Sequence, residues 1–253
     1  MKTPKAYAVW NRNLRVWRRL FWASMLGNFG EPLIYLLSLG YGLGSLVGDL
    51  QGVPYIVFLS SGIVCSTAMN TAAFEGMYSA FTRMQMQRTW EAILTAPVQV
   101  RDIVLGESLW CATKSLISAS CIMTVMWALG LVTHLQALWA LPVVVLLGFC
   151  SGAFALLVTS FARSYDFFLY YFTLVVTPLM LLSGIFFPIE RLPAGLASVV
   201  KVLPLYHAVS LIRPLLIGTT LPTSIGHHLG VLILYSTFAI MVASNRIYHR
   251  LIN

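Results

Sequence analysis

The 253-residue chain is short of charge: 9% of its residues are Asp, Glu, Lys or Arg, against roughly 25% in soluble proteins. With 58% hydrophobic residues and a mean hydropathy of +0.82, that shortage excludes a soluble globular domain and leaves a membrane protein. Acid is scarcer than base, eight Asp and Glu to sixteen Lys and Arg, a balance that in a membrane protein sets orientation rather than nucleic-acid binding. No CxxC or Cys/His cluster occurs. Cys65, Cys111, Cys121 and Cys150 all fall inside apolar runs, where they read as packing residues rather than disulfide or metal ligands. His134, His207, His227, His228 and His249 are scattered over loops and ends, and the adjacent pair lacks the i, i+4 spacing that puts two imidazoles on one helical face, so no metal site is expected. No apolar run precedes the N-terminal arginines and no small-residue cleavage site is evident, so that segment is expected to stay on the mature protein. A second domain, an internal repeat and a low-complexity tract are all lacking.

Long apolar runs are present. About 20 apolar residues cross a bilayer core, and six segments qualify, approximately 29–47, 54–80, 103–131, 138–160, 166–187 and 225–246. The first opens with Asn28, Glu31 and Pro32, a cap, a first-turn carboxylate and a tolerated proline, which assigns Glu31 to a helix start. With the N-terminus inside, Lys2, Lys5, Arg12, Arg15, Arg18, Arg19, Arg83, Arg88, Arg101, Arg163, Arg246 and Arg250 are cytoplasmic, and Arg191, Lys201 and Arg213 are outside. This positive-inside bias predicts an all-α integral membrane protein, a single 1–253 domain of six transmembrane helices with both termini cytoplasmic.

Before the first span, residues 6–22 place Trp10, Leu14, Trp17 and Phe21 on one helical face and Arg12, Arg15 and Arg19 on the opposite one. This predicts an amphipathic helix in the cytoplasmic interface, either anchoring to anionic lipid or docking specifically. The segment 186–224 is apolar but broken by Pro188, Pro193, Pro204, Pro214 and Pro222, with Lys201 and Arg213 flanking Pro204. Two cations and a proline make a lipid-facing span costly, so short re-entrant or interfacial helices at the outer face are expected.

Most carboxylates sit at span ends. Glu75, Glu107 and Lys114 are the exceptions: Glu107 and Lys114 lie about two turns apart on the third span, and Glu75 lies on the antiparallel second. An intramembrane charge is a functional candidate, and the structural alternative is a buried ion pair of Lys114 with Glu75 or Glu107 that fixes helix packing. Small residues in 61–76 and 147–162 suit close helix packing or a subunit interface. Asn70, Phe74, Tyr78, Tyr171, Thr173 and Thr177 could line a pathway for an amphiphile, or simply fill the core.

A cytoplasmic interfacial helix, six spans, a short amphipathic stretch RTWEAILTAPV (88–98) between spans two and three, and LLSGIFFPIERLPAGLASVVKVLPLYHAVSLIRPLLIG (181–218) before the last span together resemble the ABC-2 type exporter permeases. EPLIYLLSLGYGLG (31–44), TWEAILTAPV (89–98) and GESLWCATKSL (106–116) are similar to the NodJ-type nodulation permeases within that family. The resemblance implies a permease homodimer in the bacterial inner membrane, paired with a separate NodI-like ATPase subunit and exporting a lipo-chitooligosaccharide. The chain has no GxxxxGK[ST] loop and no chain of intramembrane carboxylates, so the energy is expected from that partner. ATP and Mg would bind there, and this chain would carry no cofactor and no catalytic site. By the same resemblance the coupling region 82–100 holds a coupling helix: Trp90, Ile93 and Leu94 would contact the ATPase, Arg88 and Glu91 would fix register, and Pro97 would end the helix. Membrane lipids are expected partners and nucleic acid is not. Rival readings are an ABC-2 exporter of polysaccharide or drugs, an intramembrane acyl- or glycosyltransferase using Lys114, Glu75 or a loop histidine, and a non-transporting scaffold.

Overall fold

The computed structural model describes residues 5–19, 21, 30 and 32–252, so the helix start expected at Asn28 and Glu31 lies outside the described residues. The helices are α1 (Lys5–Arg18), α2 (Pro32–Val47), α3 (Tyr55–Met86), α4 (Thr89–Leu94), α5 (Val100–Ala128), α6 (Leu135–Phe161), α7 (Asp166–Leu182), α8 (Ala194–Val200), α9 (Pro204–Ile217) and α10 (Ile225–Ile252). Between α2 and α3 a hairpin pairs β1 (Asp49–Leu50) with β2 (Val53–Pro54). Gln51 and Gly52 turn it with φ of 53° and 78°, the successive positive angles that a tight two-residue hairpin needs.

Four helices, α3, α5, α6 and α10, are long and apolar enough to cross a membrane. The pair α8 and α9 is bent by 86° and makes a fifth only if counted as one crossing. The first and fifth expected spans are the shorter helices α2 and α7, about 24 and 26 Å long at 1.5 Å per residue. Each contains a π turn, Ser38–Leu43 in α2 and Phe172–Val176 in α7. The fifth span stops at Leu182 rather than 187, because Gly184 takes φ of 80° and turns the chain.

Small residues act within the chain. Gly148 and Gly152 of α6 meet Ser115 and Cys111 of α5, and Gly76 of α3 lies against Ala155 of α6. At Gly152 even a methyl group would collide with the Cys111 side chain, which is why these helices approach so closely. The Thr159 hydroxyl donates to the Gly76 carbonyl at 2.8 Å, satisfying a backbone acceptor in a stretch of π helix. Cys65, Cys111 and Cys150 are buried and Cys121 is half-buried, and none of the four forms a disulfide among the described residues.

Two apolar cores divide the bundle. One joins Leu50, Tyr55, Val132, Leu205 and Leu216 at the end holding the hairpin and the α8–α9 bend. The other joins Val9, Trp90, Val100 and Ile247, so α1, α4 and the end of α10 share the opposite end. On α9, the Arg213 guanidinium lies 3.8 Å from the Phe58 ring centroid and donates to Ser61 Oγ at 2.9 Å and to the Ile185 carbonyl at 3.3 Å. These contacts explain how a cation is accommodated inside the bundle. The histidines differ from expectation. His207 of α9 and His228 of α10 bring their Nδ1 atoms to 2.8 Å, and the His227 ring lies 5.4 Å from that of His207. Helix packing joins His207 to the adjacent pair His227 and His228, 20 and 21 residues further along the chain. Among the described residues no group of three or more His, Cys, Asp or Glu has metal-holding geometry.

A candidate coupling site

The site forms where α3 outruns its expected end. The helix continues past 80 to Met86 through two π turns, Glu75–Ser79 and Thr82–Met86. Arg88 then takes a left-handed conformation, φ 48°, which breaks the helix and starts α4 in a new direction. Thr95 Oγ1 donates to the Ala92 carbonyl at 2.8 Å at the end of α4, and Pro97 follows. Asp102 accepts from the Gln99 amide at 3.0 Å in a capping box that begins α5. Helix α4 is therefore a short, stiff helix with a sharp break at each end.

Behind it lies a buried polar node. Glu107 of α5, 1% exposed, accepts from Arg83 Nη2 at 2.7 Å, Arg83 Nε at 3.0 Å, Asn13 Nδ2 at 3.0 Å and Trp90 Nε1 at 3.1 Å. Arg83 also donates to Glu75 Oε1 at 3.0 Å, and the Trp110 Nε1 donates to the same oxygen at 2.9 Å. Arg12 extends the network, donating to Asn13 Oδ1 at 3.0 Å and Thr89 Oγ1 at 3.4 Å. Burial, then the nearby Arg83 charge, lowers the Arg12 pKa from its ordinary value. One carboxylate thus ties together α1, α3, α4 and α5. Such bonds are charge-assisted, and removing one partner from a buried ion pair costs about 3–5 kcal/mol.

This geometry revises several expectations. Trp90 does not present its ring outward; it is fully buried and hydrogen-bonded to Glu107, so it anchors α4 to the bundle. Arg88 and Glu91 are exposed, whereas Ile93 and Leu94, three and four residues after Trp90, share its face and are half-buried against the same core, so only part of each side chain reaches the outside. Among the described residues Glu75 and Glu107 form their salt bridges with Arg83, a cation counted above only toward orientation, rather than with Lys114. Lys114 Nζ lies 5.5 Å from the Trp17 ring centroid. The interfacial helix α1 docks on α5: Trp10 Nε1 donates to Thr113 Oγ1 at 2.9 Å, and Val9 packs at Gly106. Asn13 and Arg83 are functional candidates that sequence reasoning missed.

The pathway candidates separate into two groups. Asn70, Phe74 and Tyr78 line a cavity of about 440 Å³, together with Glu75 and Lys114. Asn70 Oδ1 is buried without a hydrogen-bond partner among the described residues, so the cavity wall offers an unused acceptor. Phe74 stacks near Phe172 at 4.4 Å and Tyr78 at 5.4 Å, closing α3 onto α7 with an aromatic ladder. Tyr171 is half-buried against both cores, and Thr173 and Thr177 are exposed on α7, away from the cavity wall.

Comparison with known proteins agrees with this arrangement. Residues 5–217 match the family described as ABC-2 type transporter. The chain is 44% identical over 244 residues to Nodulation protein J of Rhizobium meliloti (strain 1021), covering 96% of this chain and 93% of that one. It is 43% identical over 245 residues to Nodulation protein J of Rhizobium leguminosarum bv. trifolii, covering 97% and 93%. A more distant likeness, 24% over 204 residues and 80% and 79% of the two chains, is to the inner membrane transport permease YadH of Escherichia coli (strain K12). The chain belongs to the ABC-2 type transporter family, as a multi-pass membrane permease.

Proposed function

We propose that this chain is the permease half of an ATP-driven exporter in the bacterial inner membrane. Two copies work with two copies of a separate, NodI-like ATPase, and the cargo is an amphiphilic glycolipid of the lipo-chitooligosaccharide class. In this reading α2 and α7 complete six crossings, and the end bearing α1, α4 and the end of α10 is cytoplasmic, as the positive-inside bias favours. The observation that carries the proposal is the polar node on Glu107. An exposed helix of six residues is bonded through Trp90, Glu107 and Arg83 to the two spans that flank it. A push on the outer side of α4 therefore moves α3 and α5 together rather than bending a loop. ATP and Mg belong to the partner; this chain supplies the contact surface of Arg88, Glu91, Ile93 and Leu94 and transmits the motion.

The cavity supports an amphiphilic cargo. Phe74 and Tyr78 offer faces on which a sugar ring or acyl chain can lie. An acyl- or glycosyltransferase is disfavoured because Glu75 and Glu107 are both bound to Arg83, so neither stands ready as a base. The test is ATP-dependent uptake into inverted vesicles containing the permease and its ATPase. Lipo-chitooligosaccharide should accumulate and the same oligosaccharide without its acyl chain should not. Equal handling of both, or uptake only of unrelated drugs or polysaccharide, overturns the cargo assignment.

A further inference from the structure

A second groove opens beside α4. Glu91, Leu94 and Thr95 form one wall, Val98 to Arg101 the floor, and Ser244, Asn245, Tyr248 and Leu251 of α10 the other wall, around a volume of about 790 Å³. The α10 residues recur at i, i+1, i+4 and i+7, so they share one helical face. That face is held in place from behind. Ile247 is fully buried, and Arg250 Nη1 donates to the carbonyls of Thr159 and Ser160 at 3.0 and 3.1 Å, pinning the end of α10 to the end of α6. Tyr248 is 47% exposed, and Ser244 Oγ is a buried hydroxyl without a partner among the described residues. The groove thus joins a rigid frame and an aromatic side chain with an exposed face.

We infer that this groove seats a segment of the ATPase subunit, making the end of α10 the second half of the docking surface. The inference rests on the reading that α4 docks that subunit. Continuity favours this occupant, because Glu91 of α4 and Thr95 just after it are exposed and also form the groove wall, with the half-buried Leu94 between them. The fitting segment carries an apolar side chain for Leu94, Val98, Tyr248 and Leu251, and polar groups that meet Asn245, Glu91 and Arg101. The consequence is mechanical. Closure of the ATPase pair would act on the last span directly, through α10, as well as on α3 and α5 through α4.

The experiment places photoreactive benzoylphenylalanine singly at Thr95, Asn245 and Tyr248 in the permease, co-expressed with its ATPase subunit in intact membranes. Irradiated adducts are identified by mass spectrometry. Adducts to the ATPase from all three positions are expected. A companion variant, Tyr248→Ala with Leu251→Ser, should lower the ATPase retained on purification by about tenfold while the permease stays at its normal level in membranes. ATPase adducts from Thr95 alone overturn the groove assignment and leave the α4 reading standing. Adducts from Asn245 and Tyr248 to a second permease make the groove a contact between copies and overturn it equally. An absence of ATPase adducts from all three positions overturns the α4 reading as well.

Discussion

Replacing Glu107 with Gln isolates what the polar node does. The substitution keeps the shape but converts one oxygen to an amide NH2 that faces donors, whichever way it is turned. Each carboxylate oxygen now accepts two bonds, one of them from Arg83, so two bonds and the full negative charge are lost together. Arg83 keeps Glu75 but loses its shorter ion pair, and the cost is about 3–5 kcal/mol. That is smaller than the 5–15 kcal/mol typical of whole-protein stability, so the bundle should persist while α4 and α1 loosen from it. Hydrogen exchange of the α4 amides, measured on the permease in nanodiscs, should accelerate by roughly two orders of magnitude, with the middle of α5 unchanged. Transport per ATP should fall with it. A triple change, Glu75→Gln with Arg83→Met and Glu107→Leu, should recover part of the loss because all three charges of the node are removed together and none is left without its partner. Unchanged exchange in Glu107→Gln, or strictly additive effects in the triple variant, would refute the reasoning.

Three other outcomes follow from particular contacts. Trp90→Ala should lower thermal stability by about 3–5 kcal/mol through the cavity it leaves, whereas Glu91→Arg should leave the melting temperature unchanged and reduce ATPase binding; equal effects in a melt and a pull-down would contradict the buried and exposed assignments. Gly152→Val should block accumulation of folded permease in membranes, because its side chain would occupy the space of Cys111; normal accumulation would contradict the α5–α6 packing. His228→Leu should destabilise the α9–α10 contact by about 1–3 kcal/mol, leaving His207 Nδ1 without its imidazole partner, and proteolysis at the α8–α9 bend should report it. A proteolysis rate equal to that of the parent would show that the pair is dispensable.

Composition and apolar run length made the membrane class, the long spans and the broken outer segment legible, because each depends on local transfer energy alone. The position of α4 and its sharp end at Pro97 were also legible, whereas the left-handed break at Arg88 that starts it was not. The node was not. Residues eight apart on a regular α-helix sit about 80° apart around the axis, so Glu75 and Arg83 do not read as one face. The two π turns change that phase and let Arg83 reach both Glu75 and Glu107. Asn13 was hidden for a different reason. One of two asparagines that flank Arg12, it reads as part of a solvated face until α5 is placed against it. Trp90 read as a partner contact because sequence records that a side chain is apolar and not which side of a short helix the bundle covers.

The central claim is that α4 converts ATPase closure into movement of two spans, and reconstituted proteoliposomes test it most directly. Permease and ATPase subunit would be incorporated together, and lipo-chitooligosaccharide moved per ATP hydrolysed would be measured for the parent and for Glu107→Gln. The account gives ATP-driven movement that requires both subunits, and a variant that still binds and hydrolyses with its partner while moving much less cargo per ATP. Movement without the ATPase, or an unchanged ratio in the variant, would contradict it.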